Sequence, residues 1–101
     1  MNDNVAGSGD IGNDTNKVVL YGTRMCPYCV GARHLLKSLG VEYQNIPVDG
    51  NPELRQHMEA ISGQYTVPQI WIGDTHVGGY TELRQLHGAG KLEAMLQAID
   101  V

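Results

Sequence analysis

The chain has 101 residues, which is enough for one compact domain and too few for two, because domains commonly contain ~100 to 200 residues. Hydrophobic residues make up 42% and charged residues 18%, which excludes a wholly disordered or collagen-like chain. The formal net charge of -4 disfavours a nucleic-acid partner, since such binders present a broad basic surface.

Hydropathy predicts neither a membrane segment nor a signal peptide. No apolar run approaches the ~20 residues of a spanning helix, and the N-terminus lacks the basic-then-apolar order of a leader. We therefore expect a cytoplasmic protein with no membrane partner. Two cysteines are too few for a disulfide-stapled scaffold.

Residues 1–16 differ in composition from the rest of the chain. They are mostly Asn, Asp, Gly, Ser and Thr, and they hold three of the eleven acidic residues and none of the seven basic ones. Such a segment cannot build a core. We predict a disordered N-terminal tail at 1–16 and one nearly neutral folded domain at 17–101.

The first predicted elements are a strand and a helix. The β-branched and aromatic run 18–21 is typical of a buried strand, which Gly22 ends. After Pro27, apolar side chains recur at helical spacing, which predicts a helix up to Gly40. The recurring positions are Cys29, Ala32, Leu36 and Leu39.

A second strand and a second helix are expected next. Residues 41–48 alternate weakly between apolar and polar side chains, which indicates a strand. Asn51 is a suitable N-cap, Pro52 a suitable first helical residue and Gly63 a C-terminal stop.

The last third of the sequence predicts a hairpin followed by helix. Residues 67–72 form a third strand, and Gly73-Asp74 forms a turn into a short fourth strand around His76 and Val77. Thr81 is the expected cap of the next helix. Two glycines, Gly88 and Gly90, interrupt that helix before an amphipathic end at 91–99.

The predicted element order is β-α-β-α-β-β-α. A helical crossover joins the first two strands, so these should be parallel with a right-handed connection. Helices should cover both faces of the resulting sheet.

Cys26 and Cys29 follow the first strand and open the first helix, a placement typical of a thioredoxin-like redox pair. With Pro27 as the first helical residue, Cys26 is the N-cap, where free backbone N–H groups and the helix dipole favour a thiolate. Cys29 shares a helix face with Ala32 and Leu36, so it should point inward. We predict that Cys26 attacks and Cys29 resolves.

Two other interpretations of the cysteine pair are weaker. A closed zinc site needs four ligands, and the nearest histidine, His34, should lie on an exposed helix face. An inert buried pair disagrees with the N-cap position of Cys26. We interpret all four histidines as surface residues: His34, His57, His76 and His87.

The roles of two residues close to the cysteine pair stay open. Arg24 is either a cation that supports the thiolate or a solvated surface charge. Tyr28 is placed to pack against a bound substrate, or it is simply an exposed ring.

The sequence resembles the dithiol (class I) glutaredoxins, and among them the bacterial glutaredoxin 3 type. The resemblance covers residues 17–99 and rests on three ordered motifs, Cys-Pro-Tyr-Cys at 26–29, Thr-Val-Pro at 66–68 and Gly-Gly-Tyr-Thr-Glu at 78–82. Thioredoxins carry Trp-Cys-Gly-Pro-Cys instead, and monothiol glutaredoxins carry Cys-Gly-Phe-Ser. The resemblance implies an α/β thioredoxin fold, a four-stranded mixed sheet flanked by helices.

It also implies a glutathione groove. Thr66 and Val67 would line one wall, with the Val67 backbone paired to the cysteinyl part of glutathione and Pro68 as a cis proline facing Cys26. The γ-glutamyl end would lie at the start of the last helix region, and the glycyl carboxylate would meet Arg55 and Arg24. The residues at that helix start are Gly79, Tyr80, Thr81 and Glu82.

Five positions depart from the usual family pattern. Thr23 stands where many members have Lys, which leaves open whether Arg24 reaches the same carboxylate. Thr81-Glu82 replaces a common Asp-Asp, and Gln64 replaces a common Arg. Trp71, where Phe is usual, is interpreted as a core aromatic.

The function that the resemblance implies is a glutathione-dependent thiol-disulfide oxidoreductase. Its substrates would be glutathionylated or disulfide-containing proteins such as ribonucleotide reductase, and glutathione reductase with NADPH would regenerate its glutathione. We expect a monomer without a metal. Two alternatives stay open: a redoxin reduced directly by thioredoxin reductase, and a module that binds an iron-sulfur cluster through Cys26 and glutathione.

Overall fold

The structure, a computed structural model, describes residues 18–99. The predicted tail at 1–16 lies outside the described residues, as do Lys17 and the last two residues of the predicted domain. The elements are β1 (Val18–Gly22), α1 (Pro27–Ser38), β2 (Tyr43–Pro47), α2 (Pro52–Ser62), β3 (Gln69–Ile72), β4 (Thr75–Gly78), α3 (Tyr80–Gly88) and α4 (Leu92–Ile99).

The strands form one mixed sheet in the order β2-β1-β3-β4. β1 and β2 are parallel, as the helical crossover predicts, and the other two pairings are antiparallel. β1 is therefore a central strand, and all five of its residues are buried. Its carboxyl end leads directly to the cysteines.

Helices cover both faces of the sheet, as predicted. Successive side chains of β1 point to opposite faces. Val18 and Leu20 join a core cluster with residues of α1, α3 and α4, whereas Val19 and Tyr21 pack with Met58 of α2. Each fully buried large apolar side chain stabilises the fold by ~1.5 to 3 kcal/mol.

Two strands are shorter than predicted. β2 spans Tyr43–Pro47 and not 41–48, and β3 begins at Gln69 and not at Val67. Pro68 has no N–H to donate to a sheet ladder, so pairing starts after it. The Val67-Pro68 peptide bond is cis, which confirms the cis proline that the resemblance implied.

The predicted cap of the last helix region was wrong. α3 begins at Tyr80 with Gly79 as its N-cap, and Thr81 lies inside the first turn. Glu82, three residues after the N-cap, accepts a hydrogen bond from the Gly79 N–H at 2.8 Å. This carboxylate satisfies a free N–H at the helix start, a role that sequence reasoning gave to Thr81.

Two of the four histidines are partly buried and not on the surface as predicted. His34 and His57 are exposed, but His76 stacks on Trp71 with ring centroids 4.5 Å apart. The two are cross-strand partners between β4 and β3, which brings their side chains together. His87 lies 3.5 Å from Glu93 and joins α3 to α4.

Trp71 is half-buried and packs against the cluster that contains Tyr21 and Met58. Its ring meets that of Tyr21 edge to face at 5.4 Å between centroids.

Among the helices of residues 18–99, none is long and apolar enough to cross a membrane.

A close contact between α1 and α3 depends on a glycine. A Cβ atom placed on Gly31 would lie 2.9 Å from the ring of Tyr80, which is inside normal van der Waals distance. The bare backbone of Gly31 thus makes room for that ring, which also meets Tyr28 at 6.4 Å between centroids.

We predict that the effect of Gly31→Ala on stability depends on Tyr80. In the native background the added methyl overpacks the contact, and the free energy of unfolding falls by about 1 kcal/mol. With Tyr80→Ala present the clash disappears, and Gly31→Ala stabilises the helix by up to about 1 kcal/mol. Urea unfolding of the four proteins measures the coupling.

Gly88→Ala is the matched control, because nothing lies within 4 Å of a Cβ at Gly88. Its effect should be the same with and without Tyr80. Equal effects of Gly31→Ala in both backgrounds would contradict the packing argument.

Candidate active site

The cysteine pair lies at the start of α1. Cys26 is the N-cap, with extended backbone at φ -75° and ψ 124°, and Pro27 is the first helical residue, both as predicted. The Val30 N–H donates to the Cys26 carbonyl at 2.9 Å and closes the first helical turn. Both thiols are free, with Cys26 partly exposed and Cys29 fully buried.

The surroundings of Cys26 stabilise its thiolate. Desolvation raises the pKa of Cys26, but the backbone N–H groups of Cys29 and Tyr28 outweigh it, together with the Cys29 thiol and the positive charge of Arg33. The net result is a pKa below the ordinary value. Cys26 is therefore the better nucleophile of the two.

Cys29 has the opposite chemistry. Burial raises the pKa of the Cys29 thiol, and the hydrogen bond and charge of Cys26 raise it further. The Thr23 N–H donates to Cys29 Sγ at 3.4 Å. This hydrogen bond lowers the pKa of Cys29 but offsets only part of the increase. The buried Cys29 thiol therefore loses its proton at a higher pH than the Cys26 thiol does.

The cation that lowers the pKa of Cys26 is Arg33, which sequence analysis missed. Its guanidinium donates to the carbonyls of Thr23 and Arg24, at 3.0 and 3.4 Å, and so fixes the segment before Cys26. Arg33 lies seven residues after Cys26, almost two full turns along α1. That spacing places both on one side of the helix and was the available signal.

Arg24, in contrast, is a surface charge paired elsewhere. Its side chain is 86% exposed, and its Nε lies 3.4 Å from a carboxylate oxygen of Asp49. Desolvation raises the pKa of Asp49, but hydrogen bonds from the Arg24 backbone and guanidinium lower it more. Of the two interpretations of Arg24, the structure favours the solvated charge.

The Thr-Val-Pro segment forms one wall beside the cysteines. The Val67 carbonyl oxygen lies 4.0 Å from Cys26 Sγ, although 41 residues separate them in sequence. Pro68 is buried and Thr66 is exposed. This wall also contacts the start of α3, because a Cβ on Gly79 would lie 3.4 Å from the Pro68 carbonyl.

The start of α3 forms a second wall. Tyr80 lies beside Tyr28, and the Arg84 guanidinium lies over the Tyr80 ring at 5.8 Å from its centroid. Thr81 and Glu82 are exposed. Tyr28 is 60% exposed, so its ring is open to a bound molecule.

The Arg55 guanidinium contacts polar groups on and just after α2. One nitrogen of its guanidinium donates to the Tyr65 carbonyl at 2.7 Å, and its Nε lies 3.5 Å from Glu59. The structure thus brings Cys26, Cys29 and Val67 together, with Pro68 against Gly79 and Tyr28 against Tyr80. Arg24 and Arg55 instead make their contacts away from the thiols.

Comparison with known proteins assigns the family. The glutaredoxin family model matches residues 18–77, which include both cysteines and the Thr-Val-Pro segment. The chain belongs to the glutaredoxin family. It is therefore a thiol-disulfide oxidoreductase with the thioredoxin fold, as the resemblance implied.

Named glutaredoxins match almost along their whole length. A Pseudomonas aeruginosa glutaredoxin is 54% identical over 81 residues, which cover 80% of this chain and 96% of that protein. Glutaredoxin 3 of Escherichia coli K12 is 44% identical over 80 residues, covering 79% and 96%. A crystal structure of a buckwheat glutaredoxin-glutathione complex matches with a TM-score of 0.78 and 31% identity, covering 84% and 82%.

Within residues 18–99, no group of three or more His, Cys, Asp or Glu side chains is arranged to hold a metal ion.

We predict that Arg33→Gln raises the pKa of Cys26, because it removes a side-chain cation that lowers this pKa. The rate of iodoacetamide alkylation, followed from acid to alkaline pH, should then rise at higher pH than in the native protein. The pH profile of Arg33→Lys, which keeps the charge, should lie between the profiles of the native protein and Arg33→Gln.

Arg24→Gln provides the comparison. It removes an equal charge two residues from Cys26, but that charge is exposed and paired with Asp49. Its alkylation profile should match the native one. A shift with Arg24→Gln and none with Arg33→Gln would reverse the assignment of the supporting cation.

Proposed function

We propose that this glutaredoxin depends on glutathione and reduces both protein-glutathione mixed disulfides and protein disulfides. The observation that carries the proposal is the opposite pKa shifts of the two thiols: lowered at partly exposed Cys26 and raised at buried Cys29. This asymmetry provides one attacking thiolate at the surface and one reserve thiol beneath it.

Reduction of a mixed disulfide needs only Cys26. Its thiolate attacks the glutathionyl sulfur, the protein thiolate leaves, and glutathione remains on Cys26 as a new disulfide. The thiolate of a second glutathione attacks the sulfur of the bound one. Oxidised glutathione leaves and the Cys26 thiolate is restored.

Reduction of a protein disulfide uses both cysteines. Cys26 attacks one sulfur and forms a mixed disulfide with the substrate. That bond removes the negative charge of Cys26, which is one of the causes of the raised pKa of Cys29. Cys29 then deprotonates more easily, attacks Cys26 Sγ and releases the reduced substrate, and two glutathiones reopen the internal disulfide.

The two walls are the proposed glutathione site. The Val67 backbone would pair with the cysteinyl part, with Thr66 and Pro68 completing that wall. The γ-glutamyl carboxylate would meet the free N–H groups at the start of α3, where Tyr80 and Thr81 lie. The named buckwheat complex supports a glutathione site in a related structure.

The charged ends of glutathione would be held by three side chains. Glu82 uses Oε1 to cap Gly79, so its Oε2 would hold the α-ammonium. Arg55 and Arg24 are proposed for the glycyl carboxylate. Both would have to share or exchange their present acidic and carbonyl partners.

The proposed partners follow from this chemistry. Glutathionylated or disulfide-containing proteins, with ribonucleotide reductase as one example, would be the substrates. Glutathione reductase and NADPH would return oxidised glutathione to the thiol. We propose that the protein acts as a cytoplasmic monomer.

We predict different losses from the two cysteine substitutions. Cys29→Ser should keep most of the activity toward a glutathionylated peptide, because that route needs one thiol. Cys26→Ser should abolish it, since removal of a nucleophile costs several orders of magnitude. Release of the free peptide thiol is the measurement, and equal loss from both substitutions would refute the one-thiol route.

The reductant is tested separately. With a glutathionylated peptide as substrate, NADPH oxidation should be fast with glutathione and glutathione reductase. It should stay at background with thioredoxin reductase alone. The reverse pattern would identify a redoxin reduced directly by thioredoxin reductase and would overturn glutathione dependence.

A further inference from the structure

Gln69 is a fully buried polar residue at the first position of β3, directly after Pro68. A buried amide is costly unless its hydrogen-bonding groups have partners. Gln69 has partners on both sides of its amide, and they belong to different parts of the fold.

The nitrogen of the Gln69 amide holds the segment before Pro68. Nε2 donates to the Thr66 carbonyl at 2.9 Å, and it lies 3.2 Å from the Thr66 hydroxyl and 3.0 Å from Gln64 Oε1. A carbonyl oxygen only accepts, so the amide must present its NH₂ group to Thr66. This requirement fixes the orientation of the side chain.

The oxygen of the same amide is held by β4. Gln69 Oε1 lies 2.7 Å from His76 Nε2, which must therefore carry a hydrogen. His76 is itself held by stacking on Trp71. Burial lowers the pKa of His76, and Glu82 raises it in part, but Nε2 donates in the neutral Nε2–H form and in the cation alike. Changes in protonation of His76 thus leave this bond intact.

The bond to Thr66 controls the direction of the next N–H group. The Thr66 carbonyl and the Val67 N–H belong to one planar trans peptide, in which they point in opposite directions. Because the carbonyl points to buried Gln69, the Val67 N–H points away from the core. The Val67 carbonyl of the following peptide lies 4.0 Å from Cys26 Sγ.

We propose that Gln69 is a positioning residue for disulfide reduction: it aims the Val67 N–H at the peptide backbone of the substrate next to the scissile disulfide. The proposal rests on the proposed function in one respect, namely that the substrate backbone pairs with Val67. Gln69 touches no reacting atom and acts through the Thr66-Val67 peptide.

The test compares two nearly isosteric variants with the native protein. Gln69→Met removes both hydrogen bonds. Gln69→Glu keeps an acceptor for His76 but, as a carboxylate, cannot donate to the Thr66 carbonyl. It therefore removes the hydrogen bond to Thr66 but keeps the one to His76. It also replaces Gln69→Met in the test if that variant does not fold.

For both variants we expect KM for a glutathionylated peptide to rise ~10-fold, with kcat nearly unchanged, as for loss of one orienting hydrogen bond. Alkylation of Cys26 by iodoacetamide, which has no peptide to pair with Val67, should stay within ~2-fold of native. The NMR order parameter of the Val67 amide, measured without substrate, should fall, because the peptide is no longer held by Gln69.

Ile72→Val is the matched control. Ile72 lies on the same strand in the core and is 2% exposed, so the change destabilises β3 without touching Thr66 or Gln69. It should leave KM and the order parameter of the Val67 amide unchanged. An equal rise of KM in Ile72→Val would show a merely structural effect and would overturn the proposal.

Two further outcomes separate this proposal from glutathione dependence. If the native protein does not act on the glutathionylated peptide, the proposed function fails. Gln69 is then judged by the order parameter of the Val67 amide and by KM for a peptide disulfide that contains no glutathione. Native values for both in the Gln69 variants would overturn the positioning role.

Discussion

The rest of the site depends on the position of Cys26 at the N-terminus of α1. Pro27 starts the helix there, and the free N–H groups of Tyr28 and Cys29 face the sulfur of Cys26. β1, the buried central strand, delivers the chain to this point. A Cβ on its last residue, Gly22, would lie 3.0 Å from Cys29 Sγ, so the close approach of strand and buried thiol favours a glycine.

The same helical turn gives the two thiols different properties. Three residues of helix carry the chain from the partly exposed N-cap to the buried face, where Cys29 packs beneath the surface. Burial and the negative charge of Cys26 raise the pKa of Cys29, whereas the backbone N–H groups at the helix start lower the pKa of Cys26. Formation of a disulfide at Cys26 removes that charge, so each step of the proposed reaction prepares the thiol needed for the next.

The two walls beside the cysteines come from distant parts of the chain and are held by buried polar contacts. Gln69 ties the Thr-Val-Pro segment to His76 on the edge strand, while Gly79 meets the Pro68 carbonyl at the start of α3. These contacts cost burial of polar groups, which their hydrogen bonds offset. The segment beside Cys26 is therefore a loop that is anchored to the sheet through Gln69.

The sequence by itself determined the order of the elements, the N-cap position of Cys26, the inward face of Cys29 and the family, because these follow from local spacing and short motifs. Only the tertiary structure decided which cation supports the thiolate, since Arg24 pairs with Asp49 from the distant β2-α2 connection while Arg33 reaches back along α1. It likewise decided that Gly79 and Glu82 cap α3 and that His76 is partly buried against Trp71. Such partners depend on cross-strand register and on competition between nearby polar groups, which no local pattern of residues encodes.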